Sequence, residues 1–182
     1  MSQQTPQDPP SLSSFSQQVA SVVAGKKPPL HLWNPSHCGD IDMAIHADGT
    51  WWHEGREIKR PKLVRLFASI LRREADDQYY LVTPVEKCRV DVALHPLLVV
   101  DVDVIATDGE SALMLTLNTG GQVPLNAMYP LALEPRAANA AFVRLDNGLS
   151  ALFSRAAWYR LVEMADAEGC IHSAGYGFSL LP

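Results

Sequence analysis

IKRPKLVRLFASIL at residues 58–71 and FSRAAWYRLVEMAD at residues 153–166 lie 95 positions apart and align without a gap. Arg60, Leu63, Arg65, Leu66, Phe67 and Ile70 fall opposite Arg155, Trp158, Arg160, Leu161, Val162 and Ala165. In the first copy Leu63, Leu66, Phe67, Ile70 and Leu71 recur at helical spacing, so one face of a helix is apolar. Pro61 suits only the first helical position and sets its start. In the second copy Ser154 is the N-cap residue and Trp158, Leu161, Val162 and Ala165 form the stripe. Each helix follows a hairpin, turned by Asp48-Gly49 in the first copy and Asn147-Gly148 in the second. The chain therefore reads as α+β, built on an internal duplication of a strand–turn–strand–helix unit.

Working outward, residues 1–11 are rich in Gln, Pro and Ser and offer little apolar surface to offset the entropy of ordering. Leu12 to Ala24 follows as a short amphipathic helix, with Ser11 or Ser13 as cap and Gly25 as stop. Together, residues 1–28 are expected to form a disordered tail and this helix. A smaller N-terminal α+β unit is expected over 29–95 and a sheet-rich C-terminal unit over 96–182. In the first, Ile41–His46 and Thr50–His53 pair around the turn, the helix closes at Asp76-Asp77, and Tyr79–Val82 resumes as a strand; if residues 79–92 are one strand bent at Pro84, Lys87, Arg89 and Asp91 share one face. In the second, LLVVDVDVIA, SALMLTLN and QVPL alternate around turns at Asp108-Gly109 and Gly120-Gly121, the pattern of an antiparallel meander. The final strand covers Tyr176–Leu181.

With 182 residues, 47% of them apolar and 19% charged, the chain can bury a real core. Its net charge of −5 argues against a protein that grips nucleic acid through its phosphates, which needs a basic face. No apolar run approaches the roughly 18–20 residues of a membrane span, and the N-terminus lacks the build of a signal peptide. The three cysteines are widely spaced without a CxxC pair, which fits reduced thiols in a cytoplasmic protein. The reading therefore implies no nucleic-acid and no membrane partner.

Chemistry-bearing residues gather in the first copy. His31, Trp33, Trp51, Trp52 and His53 hold three of the four tryptophans within a short span, residue types that make a stacking surface for a flat ligand. Trp51 and Trp52 must point to opposite faces of their strand, so one fits the core and the other a ligand wall or the seam between the units. Arg60 and Arg155 sit at the entrances of the two helices, where a cation opposes the helix dipole. Such a repeated local cost calls for a partner, either an internal carboxylate or a bound anion. Lys62 adds charge beside the first, and Thr83, Glu86, Lys87, Arg89 and Asp91 crowd the boundary between the units. His37, Cys38, Asp40 and Asp42 are metal-ligand types, yet their alternation into a strand equally describes an outward polar face, and no metal or cofactor is assigned. GxSxG, HExxH, P-loop and GxGxxG signatures are absent.

HLWNPSHCGDIDMAIHADGTWWHEGREIKRPKLVRLFASILRRE followed by YYLVTPVEK resembles the bacterial domain-of-unknown-function family 1285, as do LDNGLSALFSRAAWYRLVEMA and GYGFSL more loosely. The resemblance implies an internal duplication, a C-terminal half superficially like a pleckstrin-homology fold, and a nucleotide-like ligand held where the two halves meet. A role in signal transduction, under oxidative stress, is implied with it, and no enzyme assignment. The expected ligand-binding set is His31, Trp33, Trp51, Arg60, Lys62, Thr83, Glu86 and Arg89, with no catalytic residue. The alternatives are a protein-interaction module that uses its sheet and N-terminal helix, or an enzyme acting through His31, His53 or Cys38.

Overall fold

The computed structural model describes residues 12–23, 27–39, 41–107 and 110–182. The expected tail over 1–11, the Gly25 stop, Asp40 and the Asp108-Gly109 turn lie outside these residues. The chain divides into two compact units, residues 1–45 with 50–91 and residues 46–49 with 92–182.

The first unit opens with α1 (Leu12–Val23), whose Phe15 and Val19 are fully buried. A 3₁₀ turn at Leu30–Leu32 leads to β1 (Cys38–Gly39), β2 (Met43–Ile45), β3 (Trp51–His53) and β4 (Arg56–Glu57). β3 and β4 pair around Glu54-Gly55, both at positive φ (48° and 70°), the two-residue turn whose twist matches its strands. Next come α2 (Pro61–Ser69), β5 (Leu71–Arg73), β6 (Tyr79–Val82) and β7 (Lys87–Val92). The sheet runs β4-β3-β2-β7-β6-β5, with β1 parallel to β7. Its core centres on Phe67 of α2, which meets Phe15 at 5.8 Å between ring centroids and stacks on Trp51 at 6.4 Å.

Two expectations for this unit are corrected. The α2 helix stops at Ser69 instead of running to Asp76, because the Ile70 carbonyl accepts the Val82 amide (2.9 Å) and Leu71–Arg73 pairs with Tyr79–Leu81. Asp76 and Asp77 form the hairpin turn, with Asp76 Oδ1 accepting the Gln78 amide and Asp77 at φ 63°. Tyr79–Val82 is a strand as expected, but residues 79–92 are two antiparallel strands, so the alternative of one strand bent at Pro84 does not hold. The Thr83 hydroxyl folds the intervening turn by accepting the amides of Val85 and Glu86 (3.4 and 3.1 Å).

The second unit contains β8 (Leu97–Thr107), β9 (Glu110–Leu117), β10 (Gln122–Pro124), β11 (Leu131–Glu134), β12 (Ala140–Arg144), β13 (Ser150–Phe153), α3 (Arg155–Glu163), β14 (Cys170–Ser173) and β15 (Tyr176–Ser179). Its main sheet runs β10-β9-β8-β13-β12-β11 and is antiparallel except where β13 joins β8 in parallel. The Ser154 hydroxyl caps α3 by accepting the Ala157 amide at 3.3 Å. Ala157 and Leu161 are the buried residues of α3, while Val162 is exposed, so the apolar stripe lies one residue to the side of the expected one. Each unit thus carries a sheet hairpin, a nine-residue helix and a second hairpin in the same order. The fold is α+β with two similar sheet units.

Candidate functional site

The eight residues expected to bind ligand are distributed over several elements of the first unit. His31 is exposed on the 3₁₀ turn, and Trp33 follows it half-buried. This segment is tied down by Arg72, whose Nη1 donates to the carbonyls of Leu30 (2.8 Å) and Trp33 (2.9 Å) and whose Nη2 pairs with Glu74 at 2.6 Å. Lys87 also pairs with Glu74 and lies over the Tyr80 ring, 4.6 Å from its centroid. Burial of the Glu74 carboxyl opposes ionisation, but hydrogen bonds from Lys87 and Arg72 hold it below its ordinary range. The Tyr80 hydroxyl donates to Asp76, and that bond pushes its pKa up to about 12.

Trp51 is 1% exposed, and its ring is committed to the core against Phe67. Its indole Nε1 is buried with no hydrogen-bond partner among the described residues. Of the adjacent pair it is therefore Trp52 that lies nearer the surface, its Nε1 donating to the Thr50 hydroxyl at 2.9 Å. Thr83 is buried and spends its hydroxyl on the β6–β7 turn. Glu86 closes that turn, its Oε2 lying 3.4 Å from the place a Cβ at Gly39 would occupy. Arg89 is exposed on β7, 3.8 Å from Asp91.

Lys62 is exposed on α2 and outside the cleft lining, whereas at Arg60 a site takes shape. Arg60 is the N-cap residue of α2 in extended conformation, with no side-chain cap bond. Its carbonyl accepts the amides of Leu63 and Val64, and Pro61 has no amide to offer. Among the described residues the Arg60 guanidinium makes no hydrogen bond or ion pair. Next to it opens a cleft of about 340 Å³, lined by Leu12 of α1, by His53, Glu54, Arg56 and Glu57 of the β3–β4 hairpin, and by Ile58, Lys59, Arg60 and Leu63. Three cations and two carboxylates share the lining, with an apolar floor from Leu12, Ile58 and Leu63. Of the eight expected residues, Arg60 alone lines it. Arg155, the twin of Arg60, lies instead along its own helix, its Nη2 3.3 Å from the Tyr159 hydroxyl.

The β3–β4 hairpin that brings His53 and Arg56 to this cleft went unread in the sequence. Its signal is the Glu54-Gly55 pair, a two-residue turn between short strand formers. The amphipathic α1, expected as a partner-binding surface, turns its apolar residues Phe15 and Val19 into the first unit. No helix among the described residues is long and apolar enough to cross a membrane.

Comparison with known proteins places this architecture among relatives. The family model of the DUF1285 N-terminal domain, a domain of unknown function, matches residues 28–93, and that of the DUF1285 C-terminal domain matches residues 96–180. The chain is similar to the crystal structure of a DUF1285 family protein from Silicibacter pomeroyi DSS-3, with 37% identity, a TM-score of 0.84 and 96% of each chain covered. It is also similar to a DUF1285 family protein from Shewanella baltica OS155, with 32% identity and a TM-score of 0.56 over 68% of this chain and 91% of that one. None of the curated proteins matches.

Proposed function

The chain belongs to the DUF1285 family, and we propose that its first unit binds a small anionic, nucleotide-like ligand in the cleft at the start of α2. The observation that carries this reading is Arg60. A guanidinium at a helix entrance opposes the dipole at a cost of a few tenths of a kcal/mol or more, and no carboxylate among the described residues forms an ion pair with it, although Glu54 and Glu57 line the same cleft. A bound anion would offset it, with Arg56 and Lys59 of the same lining as further cations. The apolar floor suits the uncharged part of such a ligand, and His53 offers a ring edge for a hydrogen bond. A protein of this kind responds to its ligand, which fits a role in signalling or stress response.

The test is a thermal-shift titration of the full chain with ATP, a cyclic dinucleotide and inorganic phosphate at millimolar concentration. Ligand at one hundred times its Kd stabilises by about 2.7 kcal/mol, which raises Tm by roughly 5–10 °C for a chain of this size. Arg60→Gln is expected to remove the shift while leaving the unliganded Tm within about 1 kcal/mol of the parent, as for an exposed side chain. If none of the three probes moves Tm, the reading is wrong.

A further inference from the structure

The second unit carries a polar cluster that the ligand reading does not use. His95, in the segment before β8, is 5% exposed. Its Nδ1 lies 2.7 Å from the Ser150 hydroxyl and its Nε2 3.1 Å from Glu134 Oε2. The Glu134 carboxylate is in turn held by Arg136, which donates from Nε to Oε1 and from Nη2 to Oε2, and from its backbone amide to Oε1, each at 3.0 Å. The imidazole also packs on the Phe142 ring at 4.7 Å between centroids.

Protonation in this chain follows from donor and acceptor rules. The hydrogen bonds from Arg136 hold the Glu134 carboxyl down to about 2, so it is ionised and can only accept. In the neutral imidazole Nε2 therefore carries the proton and donates to Glu134. Nδ1 then presents its lone pair, and the Ser150 hydroxyl must donate to it. Serine, base and orienting carboxylate thus stand in the order of a nucleophile-activating relay, with the two ring nitrogens used in the reverse of the usual sense.

The strand register adds the surroundings. Ser150 pairs with Arg144, Phe142 with Leu152 and with Ala132, and Glu134 with Ala140, so these residues share one face of the sheet. Ser150 is partly exposed on that face. Arg144 stands directly across from it, and among the described residues its guanidinium has no hydrogen bond or ion pair. A cation so placed can stabilise charge developing on an oxygen beside Ser150, and the apolar neighbours suit a short acyl group.

We propose that Ser150, His95 and Glu134 form a reactive serine centre that accepts an acyl group from a small carboxylic ester. Ser150 Oγ attacks the carbonyl carbon as His95 Nδ1 takes its proton, and Arg144 faces the resulting oxyanion. The C–O bond to the leaving alcohol breaks, and that alcohol takes the proton from His95. Water, deprotonated by His95, then attacks the acyl carbon, Ser150 Oγ leaves and regains the proton, and the acid is released. Glu134 is a positioning residue that fixes the tautomer of His95. All of these residues lie in the second unit, so the inference stands apart from the ligand reading.

The experiment exposes the full chain to a fluorophosphonate probe and follows intact mass. Ser150 Oγ displaces fluoride from phosphorus, and the adduct maps to the peptide that contains Ser150. One adduct per chain is expected, absent in Ser150→Ala. In Glu134→Gln the labelling rate falls by about a hundredfold, the scale of general-base assistance, and its pH profile moves. Melting curves check that each variant is folded. A parent chain that stays unlabelled at millimolar probe overturns the proposal. So does an adduct that survives Ser150→Ala, or a rate and pH profile that Glu134→Gln leaves unchanged.

Discussion

Replacing Phe15 by alanine tests whether α1 belongs to the body of the first unit. Phe15 and Val19 are fully buried, and the Phe15 ring sits 5.8 Å from Phe67, which in turn stacks on Trp51. Truncating a buried phenylalanine costs about 3–5 kcal/mol. The loss has a ceiling set by the docking of α1 itself. A twelve-residue helix is marginal in water on its own, so once the anchor is gone α1 can undock and leave Phe67 exposed. Burial of Phe15 and Val19 together is worth about 3–6 kcal/mol at roughly 1.5–3 kcal/mol per side chain, which brackets the same figure from the other direction. At about 2–4 °C per kcal/mol for a chain of this size, the expected fall in Tm is roughly 6–20 °C. Tryptophan emission is the readout, because three of the four tryptophans lie in the first unit and Trp51 touches the affected cluster. A cycle with Phe67→Ala should give a coupling of about 0.5–1.5 kcal/mol for the aromatic pair. A Phe15→Ala chain that melts within 1 kcal/mol of the parent, with no coupling to Phe67, would refute the docking of α1.

Arg72→Lys is expected to destabilise by about 2–3 kcal/mol in chemical denaturation despite keeping the charge. One ammonium cannot reproduce a planar fork that serves the Leu30 and Trp33 carbonyls and the Glu74 carboxylate together. Acid titration of stability should show the Glu134 contribution. Its folded pKa is about 2 against an ordinary 4.5, lowered chiefly by the hydrogen bond from Arg136. The stability it supplies is therefore complete above pH 4.5 and is lost as pH falls toward 2. Glu134→Gln should flatten that segment of the curve, and an unchanged acid limb would count against the Arg136 pairing.

Where the structure departs from the sequence reading, the cause lies with partners distant along the chain. Helical spacing persists through Ile70 and Leu71, and nothing local ends α2 at Ser69. It ends there because Ile70 and the residues after it pair with β6. The apolar reading of Leu71 holds for burial and is silent about which element buries it. The cleft is similar in kind: Arg60 was legible as an oddity at a helix entrance, whereas Leu12 and His53 reach it only through packing.

What the amino-acid order determined by itself is the local grammar of this protein. The two helix starts at Pro61 and Ser154, the hairpin turns at Asp48-Gly49 and Asn147-Gly148, the long alternating strands and the duplication all follow from residues within a turn or two of one another. Tertiary structure alone decided which faces meet. It sent Trp51 rather than Trp52 inward, and it joined His95 to Ser150 and Glu134, 55 and 39 positions away. The physical reason is that propensity and periodicity act between near neighbours, whereas strand order and register select partners from anywhere in the chain, and a sequence read along its length carries no distance between them.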